Sequence, residues 1–210
     1  MNLLSIQVGK PITLEYDGKR IETGIFKHLV SGPVHLGMFN LEGDGQADLR
    51  VHGGRDKALY AYGADAYPAW IAIRPGDDFE NGCMGENFTF DTLDETKMHV
   101  GDQYQIGDAV IEVAQPRFPC NKLGVKYKDM QILKQFIALK RPGVYFRVLQ
   151  EGLLEAGDEL VLIHSEEVKL SITEMFEIQF GAKITTERAQ KILTLKSLPE
   201  NWIPKFQQRA

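Results

Sequence analysis

The order of residues predicts a mainly β domain, built as a sandwich or a closed barrel, followed by a small unit of three short helices. Up to about Leu162 the chain alternates short runs rich in β-branched and aromatic residues with glycine turns. Gly-Asp pairs at Gly101-Asp102, Gly107-Asp108 and Gly157-Asp158 each stand just before such a run, where turn chemistry belongs. After His164 the pattern changes to capping residues followed by short apolar stripes. Many short strands at this spacing favour a sandwich or closed barrel over an alternating β/α sheet.

Strands are expected at residues 3–8, 88–90, 109–114, 143–149 and 159–163. One helix is expected near 64–73. Another is expected at 130–140 after an Asp129 cap, with Met130, Leu133, Phe136 and Ile137 on a face that packs on the β domain. In the tail, Ser171 can cap a helix over 172–180, with Glu174 in the capping-box position and Gly181 ending it. Thr185 or Thr186 can cap a helix running to about Leu195, and Pro199 can open a last one containing Trp202, Ile203 and Phe206. The expected division is therefore a β domain over 1–164 and a three-helix unit over 165–210. Helices this short are not stable alone, so the tail should dock on the β domain or on a partner.

With 210 residues, the chain can bury a core without cross-links. Its 43% hydrophobic and 25% charged residues are ordinary for a globular protein, and a formal net charge of −5 argues against nucleic-acid binding by overall charge. Two cysteines and a start, Met1-Asn2-Leu3-Leu4-Ser5-Ile6, without a basic leader point to a reducing compartment, and the expectation is a cytoplasmic protein. No run approaches the roughly 20 apolar residues of a membrane span.

The most informative stretch is Gln115-Pro116-Arg117-Phe118-Pro119-Cys120-Asn121-Lys122-Leu123, which sets a cysteine between an arginine and a lysine after a strand-like run. Neighbouring cations favour the thiolate, the form that attacks electrophiles and binds soft metals. Pro116 and Pro119 remove backbone donors, so the turn carrying Cys120 is expected to stay out of both helix and sheet. The plainer alternative is a small apolar residue buried in the core.

Around Gly53-Gly54 lie His52, Arg55, Asp56 and Lys57, a loop that could turn successive N–H groups toward an anion, or simply form a charged surface turn. Neither the P-loop nor the dinucleotide glycine pattern is present. Gly85-Glu86-Asn87 precedes a strand and could present a carboxylate and an amide, or only close the turn. Cys83 has no cation beside it in sequence and reads as structural. The five histidines show no zinc spacing.

Taken in order, HGGRDKALYAY at 52–62, GENFT at 85–89 and AVIEVAQPRFPCNKL at 109–123 resemble the MOSC family, named for the C-terminal domain of molybdenum-cofactor sulfurases. The branch with a small three-helix C-terminal domain, the YiiM-like proteins, is the most similar. This resemblance implies a closed or partly open β-barrel with a few peripheral helices, and binding of molybdenum cofactor (molybdopterin). It makes Cys120 the candidate metal ligand and catalytic residue. His52, Gly53, Gly54, Asp56, Lys57, Glu86, Asn87, Arg117, Lys122 and Arg147 become candidate cofactor-binding residues. Cys83 is a departure, because family members more often carry an aromatic or aliphatic residue there.

The implied activity is reduction of N-hydroxylated compounds such as hydroxylamino purines, N–OH to N–H. With no dinucleotide fingerprint and too few cysteines for an iron–sulfur cluster, the electrons must come from a separate flavoprotein or ferredoxin-type reductase. No stable nucleic-acid partner and no membrane are expected. Two rival readings are a cofactor carrier without turnover and a persulfide sulfur-transfer protein.

Overall fold

The computed structural model describes residues 1–47 and 53–210; His52 and the four residues before it lie outside the described residues. The chain opens with strand β1 (Leu3–Val8), a hairpin of β2 (Ile12–Tyr16) and β3 (Lys19–Thr23), then β4 (His28–Val30) and β5 (Val34–Leu36). Strand β6 (Leu59–Gly63) follows the glycine loop and leads through a 3₁₀ turn into helix α1 (Tyr67–Ile73). Next come β7 (Phe88–Phe90), β8 (Gln103–Ile106) and β9 (Ala109–Pro116), then helices α2 (Asn121–Lys126) and α3 (Gln131–Leu139). Strands β10 (Val144–Gln150), β11 (Gly152–Leu154) and β12 (Val161–His164) complete the β-rich part, and α4 (Ile172–Gln179), α5 (Thr186–Ile192) and α6 (Ile203–Gln207) form the tail.

Eight strands form one mixed sheet in the order β12-β8-β9-β10-β6-β7-β1-β4, antiparallel throughout except for the β6–β7 pair. No ladder joins β12 to β4 among the described residues. The backbone does bring the run before β12 back to β1: Leu3 N–H donates to Asp158, Gly157 N–H to Leu3, and Leu160 N–H to Met1. The sheet curls around a core of Ile6, Leu36, Phe88, Phe90, Ile111, Phe146 and their neighbours.

Several local expectations are corrected. The β2–β3 hairpin was not expected, although its Asp17-Gly18 turn, with both residues at positive φ, carries the two-residue hairpin signal. Helix α3 starts one residue later than expected: Met130 takes the cap position, and Asp129 instead accepts from Gln131 N–H at 2.9 Å. Its buried pair is Ile132 and Phe136, while Met130 is exposed. The prolines interrupt less than expected. Pro116 has no N–H to give, yet it pairs in register with Val144 at the end of β9, and α2 begins immediately after Cys120.

The tail caps form as the sequence indicates. Ser171 accepts from Glu174 N–H and Thr185 from Arg188 N–H, each at 3.1 Å and each contributing about 1 kcal/mol. The Glu174 carboxylate does not complete a capping box, because Arg188 takes it at 2.9 and 2.6 Å. Leu170, Met175, Ile178, Ile192, Trp202 and Phe206 share a core with Val100, and Phe118 packs against it. The tail therefore holds the cysteine turn in place. Phe118 stacks on Phe176 with ring centres 5.9 Å apart and lies 5.9 Å from Trp202, two residues from Cys120.

Candidate functional site

A cleft with about 100 Å³ of room opens where several stretches of chain meet. The end of β3 and the following segment supply Thr23, Ile25 and Lys27, and the loop after β5 supplies Asp44, Gln46 and Ala47. Lys57 and Tyr60 enter from the start of β6, and Arg117, Cys120, Lys122 and Tyr145 from the β9–α2 turn and β10.

Cys120 sits between β9 and α2 in extended conformation, half-buried, and its side chain makes no capping bond to the helix. Cys83 differs: it is buried outside the cleft wall, and burial pushes its thiol up to about 12. A thiol that stays protonated at neutral pH is a poor ligand and nucleophile, which supports the structural reading of Cys83.

Arg117 is a buried cation of the cleft. Its guanidinium donates to the Met84 carbonyl and lies over the Tyr60 ring at 4.7 Å and the Phe136 ring at 5.8 Å. Such a desolvated stacking contact is worth about 2 kcal/mol. Burial opposes its charge, yet Tyr60, Tyr145 and Cys120 together hold its pKa above the ordinary arginine value. No carboxylate among the described residues forms an ion pair with it.

Lys27 and Asp44 are the wall that the sequence did not reveal. The Lys27 ammonium lies 2.5 Å from Asp44, with both side chains almost fully buried. Asp44 also accepts from Gly9 N–H at 2.7 Å and from the Asn87 amide at 2.8 Å. Burial pulls the Lys27 pKa below its ordinary value, Asp44 opposes that shift, and Arg117 adds to it. Lys57 is likewise lowered, by burial against the opposing pull of Asp56.

Of the residues expected to share a pocket, the structure brings Lys57, Asn87, Arg117, Cys120 and Lys122 to one cleft. Asn87 has little left to read a ligand with. Its amide oxygen accepts from Tyr60 N–H at 3.2 Å, and its nitrogen donates to Gln7 O and to Asp44, so it clamps β1 to β6. Glu86 is fully buried behind the wall. One of its oxygens accepts from Tyr67 OH at 2.5 Å and Gly82 N–H at 2.8 Å, and the other has no partner among the described residues.

Gly85 can only be glycine: its φ is +84°, and a Cβ would lie 2.7 Å from Ile25. Gly53, Gly54 and Asp56 stand beside the cleft rather than in its wall, and the Lys57 N–H is spent on Gly54 O at 3.1 Å. Arg147 is also turned elsewhere: it lies 2.8 Å from Asp56 and bonds Glu112 at 3.0 Å and Ser197 O at 2.9 Å. His52 lies outside the described residues.

Among the described residues the cleft thus carries four cationic side chains, Lys27, Lys57, Arg117 and Lys122, and one carboxylate, Asp44, with one thiol in the same wall. Such a surface suits a large anion with a soft electrophilic or metallic end.

Residues 48–161 match the MOSC domain family, and the chain belongs to that family. It is similar to the protein YflK of Bacillus subtilis strain 168, with 39% identity covering 99% of this chain and 94% of that one. The crystal structure of YiiM from Geobacillus stearothermophilus superposes with a TM-score of 0.81 at 33% identity, covering 99% of this chain and 98% of that one. Within the family the chain is a YiiM-like protein. A Gibberella moniliformis protein named a reductase is 34% identical over 81% of this chain, which spans only 30% of that longer protein.

MOSC proteins are associated with binding of molybdenum cofactor. Lys27 and Asp44 precede the matched region, so the family pattern covers only part of the cleft. Among the described residues no helix is long and apolar enough to cross a membrane.

Proposed function

We propose that this protein is a molybdenum-cofactor-dependent reductase of N-hydroxylated compounds, hydroxylamino purines or related bases, that converts N–OH to N–H. The observation that carries the reading is a buried arginine, with no carboxylate partner among the described residues, beside a half-buried thiol in one cleft. A pterin dithiolene with a phosphate end is anionic, and its metal takes a thiolate readily, so these residues fit the group. Cys120 would hold the metal; Arg117, Lys122, Lys57 and Lys27 would offset the negative charge.

When bound, the cofactor supplies a two-electron redox centre that the polypeptide lacks. The chain's own part is to orient the substrate in the cleft, shield it from bulk water and manage protons. Asn87 and Gly85 act at one remove, fixing Asp44 and the Ile25 wall rather than touching substrate. The similarity to a protein named a reductase agrees with a redox role.

On this reading the curled sheet is a partly open barrel over 1–164 and the helices form a second unit over 165–210. The protein works in the cytoplasm and draws electrons from a separate flavoprotein or ferredoxin-type reductase. Elemental analysis of protein from cells able and unable to make the pterin cofactor tests it, beside Cys120→Ser. Molybdenum should accompany only wild-type protein from competent cells, and equal molybdenum in all three samples sinks the proposal. Loaded protein that reduces no hydroxylamino base with a chemical electron donor would be a carrier instead.

A further inference from the structure

Reduction of an N-hydroxylated base takes two electrons and two protons: R–NH–OH + 2e⁻ + 2H⁺ gives R–NH₂ + H₂O. The flavoprotein or ferredoxin-type donor supplies the electrons, but the proton for the departing oxygen must be delivered inside the cleft. Arg117 cannot give one up, since a guanidinium keeps its proton at any working pH. Of the other donors in the wall, the Tyr60 hydroxyl is spent on Pro142 O at 2.9 Å and burial raises the Tyr145 pKa, which turns the search to the lysines.

We propose that Lys27 is the catalytic acid of this cleft, passing its ammonium proton to the hydroxyl oxygen as the nitrogen–oxygen bond breaks; the assignment rests on the reductase reading above. The oxygen leaves as water, the nitrogen takes its proton from solvent, and the neutral Lys27 amine is recharged from water at the cleft mouth. The geometry selects this lysine. Its nitrogen is pinned 2.5 Å from Asp44, and Asp44 is itself fixed by Gly9 N–H and the Asn87 amide.

A buried, immobilised ammonium with a carboxylate behind it can present a proton in one direction, whereas Lys122 sits on α2 with no ion pair among the described residues. Burial also moves Lys27 toward the range where it can exchange a proton at working pH. The charged groups acting on it are Asp44, Glu86, Arg117 and Lys126, two of each sign. Asp44 keeps the ammonium charged between turnovers, while Arg117 and Lys126 favour release of its proton.

The test uses loaded Lys27→Arg and Lys27→Met proteins, with three readouts. Molybdenum per chain reports cofactor retention, kcat against pH reports the acid, and the ¹⁵N resonance of Lys27 Nζ reports its own titration with or without cofactor. Arginine keeps the charge but not the transferable proton. Lys27→Arg should hold molybdenum within twofold of wild type while kcat falls about 100-fold.

Wild-type kcat should fall as pH rises through the Lys27 pKa, and that limb should vanish in the variant. Restoration of kcat by arginine, loss of molybdenum from Lys27→Arg, or the same loss of kcat in Lys57→Arg but not Lys27→Arg would each overturn the assignment. So would an Nζ titration at or above the ordinary 10.5, which decides the matter even if a variant fails to fold. Wild-type protein that binds no molybdenum and reduces no hydroxylamino base would instead overturn the reductase reading.

Discussion

Arg117 and Arg147 stand on either side of the same β9–β10 ladder, both buried and both cationic, and their surroundings make them opposites. Arg147 is enclosed by carboxylates: Glu112 at 3.0 Å and Asp56 at 2.8 Å compensate its charge, and Ser197 O takes a further N–H at 2.9 Å. Arg117 has a carbonyl, two aromatic faces and a thiol as neighbours. A buried charge that is compensated ties elements together. One that is not compensated stays available to an incoming anion. What separates a binding arginine from a structural one is therefore the charge around it, and sequence shows only the cation.

Arg147 offers the largest test of this contrast. Arg147→Met should destabilise the fold by about 3–5 kcal/mol, because Glu112 would remain buried without its cation; chemical denaturation measures it. Adding Glu112→Gln should recover much of the loss, and a single variant as stable as wild type would break the comparison. Arg117→Met should instead cost no more than about 2 kcal/mol, the stacking on Tyr60 and Phe136, since methionine strands no carboxylate and removes the burden of burying an unpaired charge. Its cost should appear as a fall of about tenfold or more in molybdenum retained, some 1.4 kcal/mol of binding. Retention equal to wild type would mean that Arg117 serves packing alone.

The smallest effect concerns Asp56, which touches both sides of the contrast through Arg147 and Lys57. Asp56 raises the Lys57 pKa against the lowering by burial, so Asp56→Asn should lower that pKa further, read by ¹⁵N titration of Nζ. The stability cost should be about 1 kcal/mol, because Asp56 is partly exposed and Arg147 keeps Glu112. A rise in the Lys57 pKa would show that Asp56 does not act on it.

Much of the β-rich part was legible in residue types. Strands β1, β7, β9, β10 and β12 fall on the expected runs, and Ser171 and Thr185 cap the helices they precede. The β2–β3 hairpin is legible in the Asp17-Gly18 pair. At the site, Cys120, Arg117, Lys122, Lys57 and Asn87 were singled out from sequence and do meet in one cleft. Lys27 stands in the plain run Phe26-Lys27-His28 and Asp44 in a glycine turn, with nothing local to mark either. Their pairing spans 17 residues and depends on β1 and β4 being neighbours.

By itself, then, the sequence determined the kinds of element, the helix caps and the placing of a thiol between two cations, because those depend on local backbone preference and covalent neighbours. The tertiary structure decided which charges are compensated, that Asn87 is a clamp and that Lys27 completes the cleft. Those properties depend on burial and on partners distant in the chain, and electrostatic energy follows distance in space rather than separation in sequence.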